Sequence, residues 1–160
     1  MSESRARATP LEVRAARFED LGELVKLQLQ LRDHHQRLEP ENPRYLVADD
    51  EWQSLIERDL KDSDSHLFVA VADGVPRGFV KLSFVEKPWG TSCEMDTLVV
   101  DEGWRSRGVG ERLAEEAERL ARDAGAKGMR ANVLLRNDGG RSFYGRMGYQ
   151  EISVRYGKAL

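Results

Sequence analysis

Between Leu98 and Leu113 the chain reads Leu-Val-Val-Asp-Glu-Gly-Trp-Arg-Ser-Arg-Gly-Val-Gly-Glu-Arg-Leu. A β-branched strand end runs into a loop holding Arg105, Arg107, Gly108 and Gly110, and then into a long helix. Glycines let the backbone approach a ligand without side-chain obstruction. The free amides and dipole at a helix start favour an anion, typically phosphate, and the two arginines add charge-assisted donors. Both standard nucleotide loops fail, however. A Walker A loop needs Lys-Ser/Thr after its last glycine, but Glu111 follows Gly110. A dinucleotide fingerprint needs glycine or alanine where Leu113 stands. Without the Walker lysine, a nucleotide phosphotransferase is disfavoured. Taken alone, the segment reads equally as a glycine-rich turn with solvated arginines.

Two acids and one thiol come next. Glu94 and Asp96 lie two apart on a predicted strand, so their side chains share one face. Such a pair can attract a cation and accept a proton; it also suits solvent or an arginine partner. Cys93 is the sole cysteine and no histidine is paired with it, so it reads as a buried thiol. His34 and His35 are adjacent, which disfavours a two-histidine metal site on a helix. No metal is expected.

The elements that must position these groups follow from hydrophobic spacing. A strand is expected at 11–15, a helix at 18–33, a loop at 34–47 and a second helix at 49–60. Strands at 67–72 and 78–85 flank Asp73-Gly74, a hairpin signal. A strand at 92–100, a helix at 108–124, a strand at 128–135, a helix at 138–147 and a last strand at 149–156 complete the order β-α-α-β-β-β-α-β-α-β. That pattern predicts a single α/β domain with a mixed sheet over residues 11–160, preceded by a disordered arm at 1–10. With 160 residues, the chain is long enough for one core without disulfides, and one cysteine offers none. The net charge of −3 gives no global attraction to nucleic acid or an anionic membrane. No apolar run marks a secretion signal or membrane span, so the expected location is the cytoplasm.

The spacing Arg105-x-x-Gly108-x-Gly110 resembles the pyrophosphate motif of the GCN5-related N-acetyltransferases (GNAT family). Upstream, Val69-Ala-Val-Ala-Asp-Gly-Val-Pro-Arg-Gly78-Phe is similar to that family's second-to-third-strand hairpin. Downstream, Asn137-Asp-Gly-Gly-Arg-Ser-Phe143-Tyr144-Gly-Arg-Met-Gly148-Tyr149 is similar to its Asn-x-x-Ala-x-x-Phe-Tyr…Gly-Phe segment. Gly140 departs from the usual alanine and Tyr149 from the usual phenylalanine.

The resemblance implies a GNAT-like fold over roughly 11–156 and an acetyl-CoA cosubstrate. It implies that the backbone of Leu98, Val99 and Val100 pairs with the pantetheine arm, and that Arg105, Ser106, Arg107, Gly108, Val109 and Gly110 hold the pyrophosphate. Asn137 would contact the cosubstrate near the thioester, and Tyr144 would give a proton to the departing thiolate; the alternative for Tyr144 is a packed aromatic beside Phe143. An amine would attack the thioester directly, with Glu94 or Asp96 as base. His34, His35, Tyr45 and Trp89 would line the acceptor, though turn packing suits Tyr45 and Trp89 equally. The acceptor implied is a primary amine on a small molecule, with a protein amine as the alternative, and a homodimer is a common family state. A catalytically weak acyl-CoA-binding module is the competing reading.

Overall fold

The computed structural model describes residues 10–158 and 160. Of the arm expected at 1–10, all but Pro10 lies outside the described residues. Five strands form one sheet in the order β1-β2-β3-β4-β5: β1 Glu12–Ala15, β2 His66–Ala72, β3 Val75–Lys87, β4 Gly90–Val100 and β5 Gly128–Ala131. The first four pair antiparallel and β5 joins β4 in parallel. The helices are α1 Leu21–Leu38, α2 Asp49–Lys61, α3 Val109–Asp123 and α4 Asp138–Arg146. The mixed α/β class expected from the sequence is what forms. At the β2–β3 turn both Asp73 and Gly74 take positive φ, 52° and 75°, which matches the twist of a two-residue hairpin.

Helices cover both faces. On one, α3 buries Val109, Leu113, Ala114, Ala117 and Ala121 against Val80, Leu82, Cys93 and Met95, with Phe143 and Tyr144 of α4 alongside. On the other, Leu24 and Leu27 of α1 and Ile56 of α2 meet Val69, Phe79 and Val99. The alanines of α3 allow a close approach to the sheet, and Gly78 of β3 makes it possible. A Cβ at Gly78 would stand 2.7 Å from the Val99 carbonyl oxygen and 3.1 Å from both Leu113 Cδ1 and Val109 Cγ1.

One irregularity shapes the sheet. Lys81 pairs with Thr97 and Leu82 with Met95, leaving Asp96 as an extra residue in β4. This β-bulge bends the strand and shifts its alternation. Cys93 and Met95 face α3, and after the bulge Leu98 and Val100 do so while Val99 faces α1. Pairing of β4 with β5 stops at Met95↔Ala131, beside the bulge.

Three expectations need correction. The first helix runs to Leu38, not 33, so His34 and His35 are helical rather than in a loop. Nothing in 34–38 breaks a helix, and the stop comes at Glu39 (φ −136°, ψ 73°), the residue before Pro40. The fifth strand ends at Ala131, not 135, where β4 turns away. The last strand expected at 149–156 does not form, and the exposed Ile152, Val154 and Tyr156 pair with no described strand. Their alternation is a strand pattern, but strand preference is realised only against a neighbour.

Replacing Gly78 by alanine is expected to lower stability by about 1–3 kcal/mol, because the obstacle is backbone and cannot rotate away. A urea melt reads this as a lower midpoint at unchanged slope. An unchanged midpoint would mean that α3 is not seated this close.

Candidate active site

The segment joining β4 to α3 is held at both ends. The Asp101 amide donates to Arg77 O at 2.8 Å, and the Asp101 carboxylate accepts from Gln30 Nε2 of α1 at 3.1 Å. Gln30 Oε1 in turn accepts from the Glu102 amide at 3.0 Å. Ser106 and Gly108 take left-handed φ values of 60° and 81°, and Gly108 is the N-cap of α3. A left-handed residue at a helix start curls successive amides into a concavity that suits an anion. The first helical bond runs from the Arg112 amide to Gly108 O, so the amides of Val109, Gly110 and Glu111 precede it. Gly110 also has a packing duty, since a Cβ there would stand 3.1 Å from Phe143 Cε2.

The loop's cations are available. Arg105 and Arg107 are exposed and neither forms an ion pair with a described carboxylate. The Arg107 guanidinium lies 4.9 Å from the Trp104 ring centre and that of Arg77 lies 4.7 Å from it. Arg77 also lies 3.8 Å from the Asp101 carboxylate, so Arg105 and Arg107 are the turn's cations without such a partner among the described residues.

Beyond Met95 the sheet forks. Leu98, Val99 and Val100 pair with β3 on one edge, while no described strand pairs with their other edge. That edge can take an extended, amide-bearing chain as an added strand would be taken. At the fork stands Tyr144 of α4, whose hydroxyl donates to Met95 Sδ at 3.4 Å. Its ring packs edge-on against Phe143 at 5.1 Å and Tyr149 at 5.3 Å. Burial pushes the Tyr144 phenol up to about 12. A thioether is a weak acceptor, so the hydroxyl readily redirects its hydrogen bond to a stronger one.

The acids lie on the other face of β4. Glu94 is half-buried opposite Ser83, and exposed Asp96 accepts from Ser83 Oγ at 3.1 Å. Tyr144 packs on the α3 side, whereas both acids alternate with Cys93 and Met95 toward the α1–α2 side. Cys93 itself is buried, and burial followed by the charges of Asp96 and Glu94 pushes its thiol up to about 11. It is a poor nucleophile there.

Asn137 caps α4, its Oδ1 accepting from the Gly140 amide at 3.1 Å. The same oxygen is 3.4 Å from His34 Nε2 of α1. His35 instead packs on buried Tyr45, with ring centres 5.4 Å apart, and burial lowers its pKa. Tyr45 is thus a packed residue of the short turn Pro43–Leu46. Trp89 is apart from all of these. It sits 78% exposed at the β3–β4 hairpin tip, roughly 20 Å along β4 from the bulge at about 3.3 Å per residue. There it borders a separate depression of about 250 Å³ with Lys127, Met129 and Ile152.

The structure brings His34 and Asn137 together, sets Tyr144 against Met95 of β4, places Glu94 and Asp96 beside Ser83 on the opposite face of that strand, and leaves Trp89 at the hairpin tip. Sequence reasoning missed Gln30 and Met95. No local pattern marks either one, because Gln30 acts on residues more than seventy positions away.

The residues present fit a CoA-type ligand: a concave amide turn with free arginines, an open strand edge and a hydroxyl at the fork lie in that order. The family model for the acetyltransferase (GNAT) family matches residues 27–149. The streptothricin acetyltransferase of Streptomyces lavendulae is 34% identical over 90 residues, covering 56% of this chain and 47% of that protein. The N-alpha-acetyltransferase RimI of Mycobacterium tuberculosis is 27% identical over 110 residues, 68% of each. The chain spans about half the length of the curated relatives it matches first. In fold, it superposes on an aminoglycoside N-acetyltransferase, AAC(6')-Iy, solved with CoA, at a TM-score of 0.73 and 20% identity, covering 97% of this chain and 99% of that one. On the family match over most of its length, this chain belongs to the acetyltransferase (GNAT) family.

Proposed function

We propose that residues 11–160 act as one acetyl-CoA-dependent N-acetyltransferase domain that acetylates a primary amine, and that the amine belongs to a small cationic molecule. The observation that carries this reading is the Tyr144 hydroxyl at the fork of β4 and β5, held among the described residues only by a thioether. A CoA sensor needs the anion turn and the strand edge, but it has no use for a proton donor at that point.

Bound acetyl-CoA supplies the acetyl group as a thioester. The amides from Val109 onward, with Arg105 and Arg107, hold its pyrophosphate, and the free edge of Leu98–Val100 aligns its amide-bearing arm. Glu94 and Asp96, on the opposite face, draw in an ammonium group and take its proton, which offsets the roughly 4 kcal/mol needed to expose the neutral amine. Tyr144 gives its proton to the sulfur as the carbon–sulfur bond breaks. The acids favour a cationic acceptor, and a relative that acts on streptothricin supports a small one. The RimI relative favours the second reading, a protein amine.

Titration calorimetry with acetyl-CoA tests the site directly. Micromolar binding is expected for the wild type, and its loss in an Arg107→Glu/Gly108→Asp double variant. A folded wild type that does not bind would remove the reading. Release of free CoA with streptothricin-like and aminoglycoside amines, compared with N-terminal peptides, separates the two acceptor classes.

Tyr144→Phe is expected to lower kcat about a hundredfold while acetyl-CoA affinity stays within a few-fold. Unchanged turnover would take the phenol out of the mechanism. Because burial holds Tyr144 near 12, it stays a proton donor throughout the assay range. The kcat profile of the wild type should therefore show no alkaline fall from this group below about pH 11. A fall centred near pH 9 that Tyr144→Phe abolishes would contradict it. By linkage, the raised value favours folding below about pH 10, and that contribution fades as pH climbs toward 12 because the unfolded phenol ionises first.

A further inference from the structure

We propose that His34 is a positioning residue that holds the Asn137 side chain through its Nε2–H, leaving the Asn137 amide nitrogen to donate to the acyl end of the bound thioester, and that Gly140 makes room for this arrangement. The acyl-end half of the proposal rests on the acetyl-CoA reading; the tether itself does not.

The hydrogen-bond chemistry assigns each atom. A backbone amide can only donate, so the Asn137 atom 3.1 Å from Gly140 N is the oxygen. A carboxamide oxygen carries no proton, so His34 Nε2, 3.4 Å from that oxygen, must be the donor. Both lone pairs of the oxygen are then engaged, one by α4 and one by α1. The amide nitrogen has two N–H groups and finds no acceptor among the described residues. An oriented donor with nothing to bind is what a carbonyl ligand needs.

Gly140 supplies the space. A Cβ there would stand 2.7 Å from Asn137 Nδ2, 3.0 Å from its Cγ and 3.0 Å from Val133 Cγ1. With Val133 behind it, the methyl group could be accommodated only by swinging the Asn137 amide away, off both the cap and His34. The glycine in place of alanine, noted in the sequence, is thus coupled to the tether. Two further contacts support it. Arg136 Nη1 donates to Leu38 O at 3.4 Å, a second bridge from α1 to the segment that leads into α4. His35 is turned onto Tyr45, which fixes the rotation of the helix that presents His34.

The first test needs no ligand. In long-range proton–nitrogen spectra at pH 8, His34, assigned by its loss in His34→Gln, should be the Nε2–H tautomer. The Asn137 side-chain amide signals should move in His34→Ala and return toward wild type in His34→Gln, whose amide can also donate. An Nδ1–H tautomer, or Asn137 signals unmoved in His34→Ala, would overturn the tether. The second test is titration with acetyl-CoA. His34→Ala and Gly140→Ala should each weaken binding about three- to tenfold, as expected for one modest hydrogen bond. The His34→Ala/Asn137→Ala double variant should bind no more weakly than Asn137→Ala alone. Additive losses would overturn the proposal. A wild type that ignores acetyl-CoA would sink the functional reading and the acyl-end role together, while the spectra still decide the tether.

Discussion

One extra residue in β4, Asp96, sets the geometry on which the remainder depends. Up to Met95 the strand is flanked by β3 and β5; past the bulge it keeps β3 and loses β5. A bulge bends its own strand and raises local twist, so a short parallel neighbour cannot follow. Without it, Val99 would face α3, and Leu98 and Val100 would face α1. With it, Val99 is buried beneath α1, and Leu98 and Val100 lie against the α3 cluster. The open strand edge, the fork at Met95 and the Ser83–Asp96 contact all follow from that insertion.

The anion turn depends on a second constraint, the close seating of α3. Val109 and Leu113 are essentially inaccessible and rest over Gly78, while Phe143 covers Gly110. A helix fixed so near the sheet leaves its first amides no freedom to drift, and the turn before it is pinned from α1 by Gln30. Preorganised donors of this kind hold a charged group without paying for reorganisation at the moment of binding.

Much of this was legible in the sequence where the cause is local. The stripe of α3, the glycines of its approach and the Asp73-Gly74 turn are short-range signals, and each element formed where expected. What escaped depends on distant partners. His34 and His35 read as loop because the apolar stripe of α1 fades after Leu31, yet the helix continues until Pro40 stops it. Residues 149–156 carry a strand pattern, but nothing in their own composition says whether an edge is present to receive them. The shared face of Glu94 and Asp96 came from simple alternation. In the structure it survives the bulge, because Asp96 still reaches Ser83 on the side to which Glu94 points.

Three protic side chains cluster near the fork, and their surroundings separate them. The Cys93 thiol is raised by burial and by two nearby carboxylates, so its reactive anion is suppressed where an acyl-enzyme route would need it. Tyr149 is raised further still, by burial and then by the charge of Glu118. A neighbouring anion opposes giving up that proton. Tyr144 is raised by burial alone, without an acidic neighbour to hold its proton back. It is also the phenol whose hydroxyl reaches the last paired residue of β4. On the proposed reading, that places the donor on one face of the sheet and the acids on the other, so proton uptake and proton delivery do not compete. On the same reading, the suppressed thiol of Cys93, which lies on the donor's face, is in accord with direct transfer to the amine rather than a covalent relay.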